Sequence, residues 1–163
     1  MLVALVFLTG CTASVPDAGD FEFGTSFPPL TPAPGESGCD SLLEPAAYDD
    51  FEARGMQPAD FSIWNDNMQF MADSGGLVCE RGVPNSGEVA VFARLNMTGE
   101  QWDAKKSDLI GLGASESTAP ISGYLEEPEV DINVSRGGFV FADGQLYYVS
   151  SNHLAQWIPL ISE

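Results

Sequence analysis

The stretch Phe139-Val140-Phe141-Ala142-Asp143-Gly144-Gln145-Leu146-Tyr147-Tyr148-Val149 constrains this chain more than any other. Two β-prone runs flank an Asp-Gly pair, and a two-residue turn needs positive φ at both centre positions, which Asp and Gly tolerate. The segment specifies an antiparallel hairpin. In Gly87 to Met97, the residues Val89, Val91, Ala93, Leu95 and Met97 recur with the period of a strand and share one face. Leu77-Val78-Cys79 is a shorter apolar run, separated from it by the turn Pro84-Asn85-Ser86-Gly87. Val130, Ile132 and Val134 alternate again, and Arg136-Gly137-Gly138 is expected to turn the chain into the hairpin.

Helices are interposed. Thr98-Gly99-Glu100-Gln101 has the spacing of a capping box, in which the Thr98 hydroxyl and the Gln101 side chain satisfy amides at a helix start. The helix it opens carries Trp102, Leu109 and Ile110 and is expected to end at Gly111. Trp64, Met68 and Met71 recur at i, i+4 and i+7 before the stop signal Gly75-Gly76. Shorter helices are expected over Ala46 to Arg54 and Asn152 to Ile158, the latter broken by Pro159. The fold class expected is α+β, an antiparallel sheet with helices packed on one side. Trp64, Trp102 and Trp157 are expected in its core.

With 163 residues, 44% of them apolar, the chain is sized for one domain with its own core. Its 24 acidic residues face 6 basic ones. That balance excludes a nucleic-acid binder working by phosphate neutralisation, and an anionic lipid surface would repel the body. The charges are scattered rather than blocked, as on a solvated surface, though the same field attracts cations and basic partners.

The N-terminal run Leu2 to Leu8 is seven apolar residues long, far short of the roughly 20 that cross a bilayer. An export signal fits it better. Leu8-Thr9-Gly10-Cys11 closes the run and resembles the lipobox of bacterial lipoproteins at all four positions. That resemblance implies cleavage before Cys11 and a diacylglyceryl group on its sulfur, a lasting anchor because two acyl chains are buried. Such signals begin with Lys or Arg, whereas Met1 is followed at once by Leu2, so a start upstream is expected. Residues 12–38, with five prolines and no periodic apolar face, read as a disordered tether spanning roughly 30 Å as a flexible coil. Phe21, Phe23 and Phe27 stand out in it as docking candidates.

Lipidation of Cys11, which the resemblance implies, leaves Cys39 and Cys79 in an oxidising compartment, where they are expected to pair; two buried free thiols are the alternative. The lipobox, the tether, the cysteine pair and the string Gly75-Gly76-Leu77-Val78-Cys79 together resemble small envelope lipoproteins of high-GC Gram-positive bacteria. The implied organisation is a signal peptide over 1–10, a lipidated cysteine and linker over 11–38, and one disulfide-bridged α+β domain over 39–163.

Catalytic signals are sparse. His153 is the one histidine and reads as structural, Gly113-Ala114-Ser115-Glu116-Ser117 lacks the glycine turn of a nucleophile elbow, and lipid and disulfide engage all three thiols. Two strings offer oxygen ligands for calcium: Glu126, Glu127, Glu129 and Asp131, and Asn65-Asp66-Asn67. Neither is an EF-hand loop, and Glu127, Glu129 and Asp131 read more simply as a solvent-facing strand edge. No catalytic residue, metal ligand or cofactor is assigned. The function expected is a lipid-anchored extracytoplasmic protein, a non-catalytic binding or interaction module for a wall component, solute or partner protein. The alternative is a small accessory hydrolase of cell-wall metabolism. The expected partners are the membrane, through the anchor, and an envelope protein or wall ligand, with no nucleic acid.

Overall fold

The computed structural model describes residues 38–60, 62–128 and 136–160. The expected signal peptide, Cys11, the tether up to residue 37, the alternation of Val130, Ile132 and Val134, and the candidates Glu129 and Asp131 lie outside the described residues. In chain order, a 3-10 turn at Gly38–Asp40 precedes α1 (Pro45–Ala53), β1 (Gln57–Ala59), α2 (Asp66–Asp73), β2 (Leu77–Gly82) and β3 (Val89–Asn96). There follow α3 (Gly99–Gly111), β4 (Ser115–Ser117), β5 (Tyr124–Glu126), β6 (Gly138–Ala142), β7 (Gln145–Val149) and α4 (Asn152–Ala155).

The seven strands form one sheet in the order β1-β2-β3-β7-β6-β5-β4, with every pair antiparallel. Two meanders, β1 to β3 and β4 to β7, are joined when β7 pairs with β3. The crossover α3 carries the chain from β3 to the far edge. The expected hairpin is β6–β7, closed by Asp143 (φ 51°) and Gly144 (φ 75°), the geometry of the mirror-image turn. The turn before β3 is also in place, with Asn85 and Gly87 at positive φ.

The α+β class and the antiparallel sheet are as expected; coverage on one side is not. β3 buries Val91, Ala93 and Leu95 against one face and Ala90 and Phe92 against the other. β7 does the same with Leu146 and Tyr148 on one face and Tyr147 and Val149 on the other. Register keeps the parities together, since Ala93 pairs with Tyr148 and Phe92 with Val149. The helices therefore occupy both faces. α1 and α4 cover the first through Ala47, Phe51, Leu154 and Ala155. α2 and α3 cover the second through Met68, Met71, Trp102 and Leu109. Reading one parity of β3 concealed the other, because a central strand buried on both faces is apolar at consecutive positions. The edge strands β1 and β4 are three residues each and largely exposed, which limits pairing with other chains.

Cys39 and Cys79 form a disulfide with Cα atoms 5.6 Å apart, tying the segment before α1 to β2 on the first face. Other local expectations are adjusted. Trp64 is not core: it is 48% exposed and precedes α2, whose N-cap is Asn65. Trp102 is buried, and Trp157 is half-buried against Phe51. Val89 and Ile110 are exposed. α3 runs through Gly111, and the left-handed residue beyond its end is Gly113 at φ 103°. Gly137 and Gly138 do not turn the chain; Gly138 opens β6 beneath the Tyr124 ring, where an added Cβ would lie 2.6 Å from Tyr124 Oη and 2.5 Å from the Leu125 carbonyl. α4 is one turn shorter than expected and continues as tight turns to Ile158.

Candidate functional site

The second face ends in two helices whose solvent sides face each other, and each is fixed by a separate polar device. Asn65 caps α2 by accepting from the Met68 amide at 2.8 Å, while its own side-chain amide donates to the Tyr148 hydroxyl at 3.0 Å. Asn67 donates to Glu127 Oε1 at 2.6 Å, and Tyr148 donates to the same carboxylate. With Met68 and Met71 fully buried, α2 is held at both rotation and height. α3 starts on the expected capping box, Gln101 N to Thr98 Oγ1 at 3.2 Å and Thr98 N to Gln101 Oε1 at 2.9 Å. Trp102 anchors it by stacking on Phe141, 6.0 Å between ring centres.

The residues left facing outward follow from helical spacing. On α2 these are Phe70 and Asp73; on α3 they are Gln101, Ala104, Lys105 and Asp108. Together with Met97 and Glu100 they line a groove of about 780 Å³. Lys105 Nζ lies 4.1 Å from the centre of the Phe70 ring, a cation–π contact. Burial of its stem lowers the Lys105 pKa, with the carboxylates of Asp108 and Asp66 acting in the opposite direction. The groove can accept an apolar group and hold positive charge beside it.

The polar cluster behind α2 contains Tyr148 and Tyr124, both with hydroxyls pushed well above the ordinary tyrosine value of 10.0, first by burial and then by the nearby carboxylates. Both therefore stay neutral at physiological pH, and Tyr148 acts as a hydrogen-bond donor, not as a base. The Tyr124 hydroxyl is buried and has no hydrogen-bond partner among the described residues. The two calcium candidate strings meet here, through Asn67 and Glu127. Asn67 presents its N–H to Glu127, the geometry of a hydrogen bond and not of two oxygens sharing a cation. Among the described residues no group of three or more acidic, histidine or cysteine side chains is placed to hold a metal ion. Glu127 is not in a strand: it lies one residue beyond β5, with its amide donating to the Gly137 carbonyl at 3.0 Å.

A second depression, of about 860 Å³, lies between α1 and β1. Three of the polar residues lining it, Tyr48, Arg81 and Asp40, are tied into the fold. The Tyr48 hydroxyl accepts from the amides of Leu42 and Leu43 and donates to the Cys39 carbonyl. Arg81 lies 5.3 Å from the Tyr48 ring centre and bonds Asp40 at 2.6 Å. His153 is exposed, edge-on to Trp157 at 4.8 Å and beside Gln156. Ser115 and Ser117 lie in β4, at the opposite edge of the sheet from β1.

No protein-family model, curated protein or solved structure matches this chain. The groove was missed in the sequence because Phe70 and Lys105 sit off the apolar stripes of their own helices. The signal available was the i, i+3, i+4, i+7 set Gln101, Ala104, Lys105 and Asp108 on the polar side of α3.

Proposed function

We propose that this chain is a lipid-anchored protein on the extracytoplasmic face of a bacterial cell membrane, acylated at Cys11. Its α+β body is a non-catalytic binding module for a wall component, a solute or a partner protein. One observation carries the binding role: beside a finished core, the α2–α3 groove leaves the half-buried Phe70 and three exposed carboxylates open to solvent. Rigid helices with buried anchors present these groups, as a binding surface requires.

Export is supported by two independent features. Leu8-Thr9-Gly10-Cys11 carries the lipobox resemblance, and the Cys39–Cys79 disulfide belongs to an oxidising compartment. Residues 12–37 then separate the lipid from the body. This reading extends the resemblance to small envelope lipoproteins of high-GC Gram-positive bacteria.

Fractionation of cells expressing the chain tests the anchor. The unaltered protein is expected in the membrane fraction with a diacylated Cys11 by mass spectrometry, and Cys11→Ser is expected to leave it. An unmodified N-terminus, or an unaltered chain found in the cytosol, overturns the reading.

A further inference from the structure

Two of the three carboxylates of the α2–α3 groove stand where helix physics disfavours them, whereas Glu100 is in the first turn of α3, where the dipole favours it. Asp73 is in the last turn of α2 and Asp108 in the last turn of α3, next to the negative ends of the two helix dipoles. Neither helix has a basic residue in its last turn. Asp73 accepts from Gln69 at 2.6 Å and Asp108 lies one turn from Lys105, yet both carboxylates stay exposed at helix ends that border one groove, which points to a use outside the fold. Lys105 supplies the second indication. Its ammonium already occupies the face of Phe70, 4.1 Å from the ring centre, so that face takes a cation in this molecule.

We propose that this groove docks a cationic, amphipathic segment of a partner protein. A Lys or Arg side chain of the segment takes the place of Lys105 over Phe70, an apolar neighbour rests on Met97 and Ala104, and further basic groups meet Asp73, Glu100 and Asp108. The formal charge of −18 steers such a segment towards the protein. A second copy of the chain carries the same charge and is repelled, and so is an anionic lipid surface. The proposal rests on the binding-module reading, and names the partner's chemistry.

The test is fluorescence anisotropy of the full chain with three labelled peptides of equal length, built from Leu with Arg, Leu with Glu, and Leu with Ser. Only the Arg peptide is expected to bind, and more weakly as salt rises. Asp73→Lys with Asp108→Lys is expected to weaken binding about tenfold or more, since both charged contacts reverse sign. That double variant should fold, because Lys suits the last turn of a helix. Phe70→Leu, which keeps an apolar group and removes the ring, is expected to weaken binding several-fold.

Equal binding of the Arg peptide to the double variant would assign it to the general acidic surface and overturn the proposal. So would equal binding of the Glu or Ser peptide, or no binding of any. Loss of the anchor in fractionation would leave these titrations unaffected, so the two readings fail separately.

Discussion

Asn65 donates its side-chain amide to the hydroxyl of Tyr148, 3.0 Å away and 83 residues along the chain. The same asparagine caps α2, so one residue both starts the helix and fastens it to the central strand β7. Tyr148 passes the connection on to Glu127. This chain of contacts sets where Phe70 and Asp73 stand.

Removing the Tyr148 hydroxyl leaves Asn65 and Glu127 without a shared partner. Tyr148→Phe is expected to lower stability by about 1–3 kcal/mol, whereas Tyr124→Phe removes a buried hydroxyl with no hydrogen-bond partner and is expected to be neutral or stabilising. Urea midpoints at constant m-value measure both. Equal losses in the two variants would contradict the assignment of hydrogen bonds.

All four tyrosines, Tyr48, Tyr124, Tyr147 and Tyr148, have pKa values raised above 10.0, with burial the first cause in each. A raised folded-state pKa contributes stability that is complete below the unfolded value and is lost as pH rises through the folded one. Stability is therefore expected to fall as pH climbs past 10. Phenolate absorbance of the native protein should develop at higher pH than that of the denatured chain. Coincident titration curves would refute this.

Cutting the bridge releases a loop with a sequence separation of 40 residues. Replacing both Cys39 and Cys79 by Ser is expected to cost about 4 kcal/mol in the chain-entropy account. Chemical denaturation of the reduced and oxidised forms gives the same comparison without mutation. A difference below about 1 kcal/mol would show that the crosslink constrains little.

Two glycines make opposite predictions. A Cβ on Gly138 would meet the Leu125 carbonyl at 2.5 Å and the Tyr124 ring at 2.6 Å, so Gly138→Ala is expected to destabilise by about 1–3 kcal/mol or more. Gly99, in the first turn of α3, has nothing within 4 Å, and Gly99→Ala is expected to stabilise by about 0.5 kcal/mol. Thermal melts of the two variants should move in opposite directions.

Local chemistry made much of this protein legible from its residues alone. Asp143-Gly144 specifies its own turn, Thr98 and Gln101 their own cap, and the alternation of β3 its own extended backbone, because each depends on neighbours a few positions away. The short strands β1, β4 and β5 carry too few residues for a period to register, and Gly137-Gly138 resembles a turn until Tyr124 is seen above it.

The residues by themselves determined an antiparallel sheet with helices between its strands, and two cysteines of the body left to each other. Only the tertiary structure decided that helices lie on both faces, that Asn67 meets Glu127, and that Phe70 and Lys105 face each other across a groove. The reason is range: turns, caps and strand periods are set by interactions within a few residues, whereas a face or a groove exists only after β7 has paired with β3 and distant segments share one surface.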